Sequence, residues 1–225
     1  MGVLLHIDTA VQGASLCISV HEHIIVFSQN EHTKEGAGWI HVAIDELMKK
    51  AGITFQQLEA ISISAGPGSY TGLRVGMAAA KGLCYALNIP IISISTLKMM
   101  AAAAPLNHSA LLCPMIDARR MEVFTALYDK DLNVIISPHN LILTADSFAT
   151  YLKDHQILFF GNGSEKFSSL QLHPNAMFMN VEATAKNLVA LANKLFMEKN
   201  FNDLAYGEPF YGKEFYSPAS AVQIK

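Results

Sequence analysis

At 225 residues the chain is long enough for one large domain or two small ones. Hydrophobic residues make up 51 % and charged residues 16 %, a balance that supports a sizeable core and excludes a disordered chain. A net charge of −3 without any basic block disfavours a free-standing nucleic-acid binder that works by neutralising phosphates. Cys17, Cys84 and Cys113 lie far apart and form no C-x-x-C pair, so they read as core residues of a reducing compartment. The opening MGVLLHID has no basic n-region and reads as a strand rather than a signal peptide. His6 stands where the myristoylation pattern wants Ser or Thr. The longest uncharged stretches, Gly82 to Leu97 and Met99 to Ile116, are broken by Pro90, Pro105 and Pro114, so no membrane span is expected and a cytoplasmic location is.

In chain order, Val3 to Asp8, Ala14 to Val20 and His23 to Ser28 predict an antiparallel meander. Trp39 to Ala51 is periodic as a helix, with Ile40, Ile44, Leu47 and Met48 inward. Ala60 to Ala65 is a short apolar run that fits a buried strand. Pro67-Gly68 sits where a type II turn wants proline and then a residue with positive φ. Ser69 or Thr71 can cap the helix that follows, about Leu73 to Leu87, and Ile91 to Ser95 reads as the next strand. Strand, glycine turn, helix and strand make a βαβ unit and imply a parallel sheet. A helix near Leu97 to Ala104 completes the series βββαβαβα.

The order then repeats. Ala110 to Ile116, Glu122 to Asp129 and Asn133 to Ser137 are strand-like, and Ala145 to Lys153 is helical. Ile157 to Phe160, a helix near Glu165 to Leu170 and a strand near Met177 to Asn180 follow. Glu182 to Lys199 closes the series as an amphipathic helix. Two echoes support a duplication: His6 to Ala10 against Met115 to Arg119, and Ala65 to Ser69 against Phe160 to Ser164. The expected fold is α/β and two-lobed, of the actin-like (ribonuclease H-like) class, with lobes over 1–106 and 107–225. The final helix and tail have the option of packing back on the first lobe.

The chemical signals are few. Gly66 to Thr71 follows a strand and opens a helix, but Thr71 occupies the third glycine position of a dinucleotide fingerprint and no acid ends the next strand. No Gly-Lys-Ser/Thr ending marks a phosphate loop. Asp8 and Asp117 end their strands on turns, where an Asx-turn accounts for them as well as a nucleotide does. Gly68, Ser69, Thr71, Asp8, Asp117 and Arg119 are the candidates for a nucleotide or anion contact. Arg74 opposes the helix macrodipole from the first turn, which suggests an anionic neighbour. None of the nine histidines forms an H-x-x-x-H pair, so all are read as surface residues and no metal site is expected. Neither a G-x-S-x-G elbow nor an activated-looking cysteine is present.

A stripe of small residues, Gly72, Gly76, Ala79, Ala80 and Leu83, shares one helix face. It suits either packing on the protein's own sheet or the close approach of a partner helix. With Arg74 and with Trp39, Ile40, Ala43, Ile44 and Leu47 of the preceding helix, it defines an expected partner surface.

LLHIDTA, AGPGSYTGLRVGMAAAKGL, ISTLKMMA and MIDARRMEVFTALY resemble the TsaB (YeaZ) family, strongly to about Tyr128 and faintly again at Glu208 to Tyr211. The resemblance implies a non-catalytic subunit needed to make threonylcarbamoyladenosine on tRNA. Such a subunit pairs with the related catalytic protein TsaD through the two helices above, and forms homodimers without it. It also implies TsaE, an ATPase, as a further partner, with tRNA met through the complex. ATP is used by the wider complex and no cofactor is held by this subunit. TsaD carries a metal-binding H-x-x-x-H on its first-lobe helix; here Gly36, Ile40 and Ile44 stand in that region, with His41 nearby. The loop from His32 to Gly38, and Lys213 where an arginine is common, depart from the family pattern. An actin-fold kinase of small molecules is the alternative, although Asp8-Thr9-Ala10 lacks the usual glycine. A peptidase-like protein and a plain chaperone-like homodimer are further alternatives, the former without a supporting constellation.

Overall fold

The alternating apolar runs that open the chain form β1 (Val3–Asp8), β2 (Ala14–Val20) and β3 (His23–Asn30), paired antiparallel with Leu5 opposite Ile18. β4 (Ala60–Ser64) and β5 (Ile91–Ile94) add in parallel on the other side of β1, giving the order β3-β2-β1-β4-β5. Parallel neighbours need crossovers. These are α1 (Gly36–Ala51), which leads into β4, and α2 (Tyr70–Leu87), which joins β4 to β5. The computed structural model describes residues 2–11, 13–30, 36–105 and 110–212. Most of the divergent loop from His32, the lobe boundary at 106–107 and Lys213 lie outside the described residues.

The second half repeats the plan. β6 (Leu111–Asp117), β7 (Glu122–Tyr128), β8 (Val134–Ile142), β9 (Ile157–Phe160) and β10 (Ala176–Met179) form a sheet of order β8-β7-β6-β9-β10, equivalent strand for strand to the first. Its crossover helices are reduced to α4 (Ala149–Leu152) and α5 (Ser164–Ser168). The longer helix expected from Ala145 is shortened because Phe148 adopts a left-handed conformation (φ 63°) just before α4. Phenylalanines replace it as cover: Phe159 and Phe167 pack edge to face at 5.0 Å over this sheet.

Each half lends its last helix to the other. α3 (Thr96–Ala103) follows β5 yet lays Leu97, Met100 and Ala101 against Leu112 and Ala126 of the second sheet. The end of the chain returns the exchange: a 3-10 turn at Ala185–Leu188 and α6 (Val189–Met197) place Leu188 and Ala192 against Leu4, Ala60 and Ile92 of the first sheet. The continuous helix expected from Glu182 is broken there. Thr184 is extended, and the Ala185 amide donates to Ser15 Oγ on β2 at 2.9 Å.

The other face of the first sheet is covered by α1 and α2, with Ile40, Ile44, Leu47, Met77 and Ala80 packed on Leu5, Ile7, Ile61 and Ile63. α2 approaches the sheet closely because it is bare on that side. A Cβ on Gly72 would collide with the Thr9 carbonyl oxygen, and one on Gly76 with Thr9 Oγ1; at Gly82 it would meet nothing within 4 Å. Alanine is the better helix former by about 1 kcal/mol, whereas overpacking costs about 1–3 kcal/mol. Gly82→Ala should therefore raise unfolding free energy by about 0.5–1 kcal/mol and Gly76→Ala should lower it, as measured by urea denaturation. Shifts of the same sign would contradict this packing.

Candidate functional site

The glycine turn between β4 and α2 is held from several sides. Gly66 supplies the left-handed residue (φ 98°), whereas the type II expectation put it at Gly68. The Gly66 amide donates to Thr96 Oγ1 at 3.0 Å, and its carbonyl accepts from the Thr96 amide at 2.9 Å. The Gly66–Pro67 peptide is cis. Ser69 caps α2 by accepting from the Gly72 amide at 3.2 Å, and its own amide donates to the Ala10 carbonyl at 2.8 Å. Thr9 Oγ1 donates to the Gly72 carbonyl at 2.8 Å. The start of α2 is thus fastened to the end of β1.

Between the lobes lies a cleft of about 1580 Å³, walled by Thr9, Gly68, Ser69 and Thr71 on one side and by Asp117, Arg119 and Asn162 on the other. Five of the six nucleotide or anion candidates, Gly68, Ser69, Thr71, Asp117 and Arg119, meet there. Asp8 does not. It is 1 % exposed and sits behind the cleft wall, which corrects the expectation that it touches a ligand directly.

The two strand-end acids share a local design. Asp8 Oδ1 accepts from the Ala10 amide at 3.0 Å, and Asp117 Oδ1 from the Arg119 amide at 2.6 Å, so each closes an Asx-turn. Their surroundings differ. Ser64 Oγ donates to Asp8 Oδ1, while Oδ2 has no partner among the described residues. Burial pushes the Asp8 carboxyl up to about 6, against the opposing pull of Ser64 and the Ala10 amide. Asp117 instead pairs with Lys166 at 3.0 Å, which holds its carboxyl below the usual range. Lys166 also donates to the carbonyls of Arg120 and Glu122 and so pins the β6–β7 turn. Asn162 Oδ1 accepts from the Asp117 amide at 2.9 Å.

His6 is not a surface histidine as expected; it is fully buried in the middle of the first sheet. Its Nδ1 is hydrogen bonded to Ser62 Oγ at 2.7 Å and its Nε2 to Ser19 Oγ at 2.8 Å, a polar rung across β4, β1 and β2. Burial pushes its ring down to about 3 and keeps it neutral. The three cysteines are buried free thiols, each pushed up to about 12 by burial. Among the described residues no three His, Cys, Asp or Glu side chains are grouped to hold a metal ion, and no helix is long and apolar enough to cross a membrane.

The expected partner surface needs the largest correction. Ile40, Ala43, Ile44 and Leu47 of α1, and Gly76, Ala79 and Ala80 of α2, are buried in the first lobe's own core. Trp39, Gly72 and Leu83 are half-buried, and Arg74 is exposed. Arg74 meets no acid among the described residues. Its Nη1 donates to Tyr70 Oη at 3.0 Å, with the guanidinium 5.3 Å from that ring's centre. The outward face of the pair carries Val42, Ala78, Gly82 and Tyr85 instead, with Val42 60 % and Tyr85 83 % exposed.

Two equivalent lobes of order 3-2-1-4-5, with exchanged terminal helices and a cleft between them, define the two-lobed actin-like class of α/β proteins. Residues 27–209 match the family model described as TsaD: tRNA N6-adenosine threonylcarbamoyltransferase. The chain belongs to that family. It is 37 % identical over 125 residues to the tRNA threonylcarbamoyladenosine biosynthesis protein TsaB of Haemophilus influenzae, covering 54 % of this chain and 51 % of that one. To TsaB of Bacillus subtilis it is 35 % identical over 123 residues, 53 % of each chain. The chain spans about half the length of the curated relatives it matches. A Pseudomonas aeruginosa protein described as similar to peptidase YEAZ superposes with a TM-score of 0.84 at 21 % identity, covering 95 % of this chain and 100 % of that one.

The buried acid and histidine predict an unusual acid response. Asp8 favours the fold below its ordinary value of 3.8, and that contribution is lost as pH rises through about 6. His6 favours the fold above 6.5 and loses its contribution as pH falls through about 3. Between pH 4 and 6 the two oppose. Asp8→Asn keeps the Oδ1 acceptor and leaves His6 alone, so stability should fall more steeply on acidification than in the wild type. The added slope should approach about 1.4 kcal/mol per pH unit. Denaturant titrations at pH 4, 5 and 6 check this; parallel curves would contradict it.

Proposed function

We propose that this protein serves threonylcarbamoyladenosine formation on tRNA as a non-catalytic subunit that pairs with a TsaD-type catalytic protein. The observation that carries this reading is the family match over residues 27–209, together with curated relatives named as biosynthesis proteins TsaB. The side chains support the non-catalytic part of it. The sequence has no H-x-x-x-H pair, and His6, hydrogen bonded to two serines, is sealed in a sheet. Chemistry, ATP use and tRNA contact then belong to the assembled complex, in which TsaE is the further partner.

The pairing surface in this reading is the outward side of α1 and α2. Ala78 and Gly82 lie one helical turn apart with almost no side chain, and Val42 and Tyr85 offer apolar area that the isolated chain leaves in water. Tyr85→Arg and Val42→Arg should abolish co-purification with TsaD while changing stability by no more than about 0.5 kcal/mol. Ala80→Arg, aimed into the core, should unfold the protein instead. Depleting the protein should remove threonylcarbamoyladenosine from cellular tRNA. Normal modification in the depleted strain, or unimpaired pairing by Tyr85→Arg and Val42→Arg, would sink the proposal.

A further inference from the structure

Residues 198–212, beyond α6, form no regular helix or strand, yet they are fastened along their length. The Asn202 amide donates to the Ile91 carbonyl at 3.0 Å, and Asn202 Oδ1 accepts from the Ser93 amide at 2.6 Å, so this residue occupies the open edge of β5. Asp203 Oδ1 accepts from the Ala205 and Tyr206 amides at 2.7 and 2.8 Å and turns the chain across α2, where Lys81 Nζ reaches the Ala205 carbonyl at 3.1 Å. The Phe210 amide then donates to the Ala65 carbonyl at 2.8 Å. The Phe210 carbonyl lies against Gly66 and leaves no room there for a Cβ. Tyr211 packs on Tyr70, the first residue of α2, with ring centres 5.1 Å apart. Gly212 ends against the ring of Phe124 on β7, in the other lobe.

This path touches the elements that shape the first-lobe wall of the cleft. The glycine turn is gripped from one side by Ala10 and from the other by Phe210, and the last contact crosses to the second sheet. The attachment is also shallow. Tyr206 is 85 % and Phe210 48 % exposed; Leu204, half-buried, packs on the first core, and the rest of the segment is held by a few hydrogen bonds and by the Phe196–Phe201 and Tyr70–Tyr211 ring contacts. Contacts of this kind contribute little net free energy each and open without global unfolding.

We propose that residues 201–212 are a strap that clamps the glycine turn and ties the first lobe to β7, so that its docked end sets the width of the interlobe cleft. Release at Phe210 to Gly212 frees residues 66–72 and lets the lobes move apart, while both sheets stay folded.

The test uses the full chain with Phe210→Pro, which removes the amide donor, and Tyr211→Ala, which removes the ring contact. Spin labels on Thr71→Cys and Asn162→Cys report the cleft width, and hydrogen exchange by mass spectrometry reports the turn. Both strap variants should speed exchange in residues 66–73 at least tenfold, leave β2 and β6 unchanged, and lengthen or broaden the label distance. An unchanged distance, or exchange that rises uniformly along the chain, would overturn the proposal. If Phe210→Pro does not fold, Tyr211→Ala decides by the same criteria.

Discussion

The structure depends on one close approach, that of the Thr9–Ala10 turn to the first two turns of α2. Glycine at 68, 72 and 76 opens the space, and two hydrogen bonds, Ser69 amide to Ala10 and Thr9 hydroxyl to Gly72, fill it. With the helix fixed this way, its bare side must face the sheet, and Ala79 and Ala80 follow Gly76 into the core. The outer side is then Ala78, Gly82 and Tyr85. The same approach shapes the cleft, since Thr9, Gly68 and Ser69 form its first-lobe wall.

The two lobes are equivalent in topology and unequal in cover. The first carries helices of 16 and 18 residues; the second carries stubs of 4 and 5 and relies on packed phenylalanines. Exchange of α3 and α6 makes each sheet's core depend on the other half of the chain, so the lobes cannot separate completely without exposing Leu97 and Met100 or Leu188 and Ala192. The strand-end acids have diverged in the same sense. Asp117 is neutralised by Lys166 on the surface, whereas Asp8 is sealed with one oxygen unpartnered among the described residues.

Strands and the duplication were legible because period-2 runs and the two Asp and Gly-x-Gly echoes are local features; each Asx-turn needs only residues two apart. The small-residue stripe was misassigned for a physical reason. Bare helix faces suit a partner and an intramolecular turn equally, and the turn that fills this one lies 63 residues upstream in sequence. His6 carries a readable signal of burial, since Ser19 and Ser62 interrupt neighbouring apolar runs with polar groups able to satisfy it. The tail's points of attachment were not legible, because its docking uses backbone amides whose partners no side-chain pattern reveals.

Thiol accessibility along α2 tests this division of the helix most directly, because the native cysteines are buried and silent. Single cysteines placed at Ala78, Gly82 and Ala80 can be labelled in the isolated protein and again with a TsaD-type partner. Fast labelling at 78 and 82 that the partner suppresses, with no labelling at 80 in either state, is the predicted result. Labelling at 80 as fast as at 78, or a partner that leaves 78 and 82 fully reactive, would contradict the account.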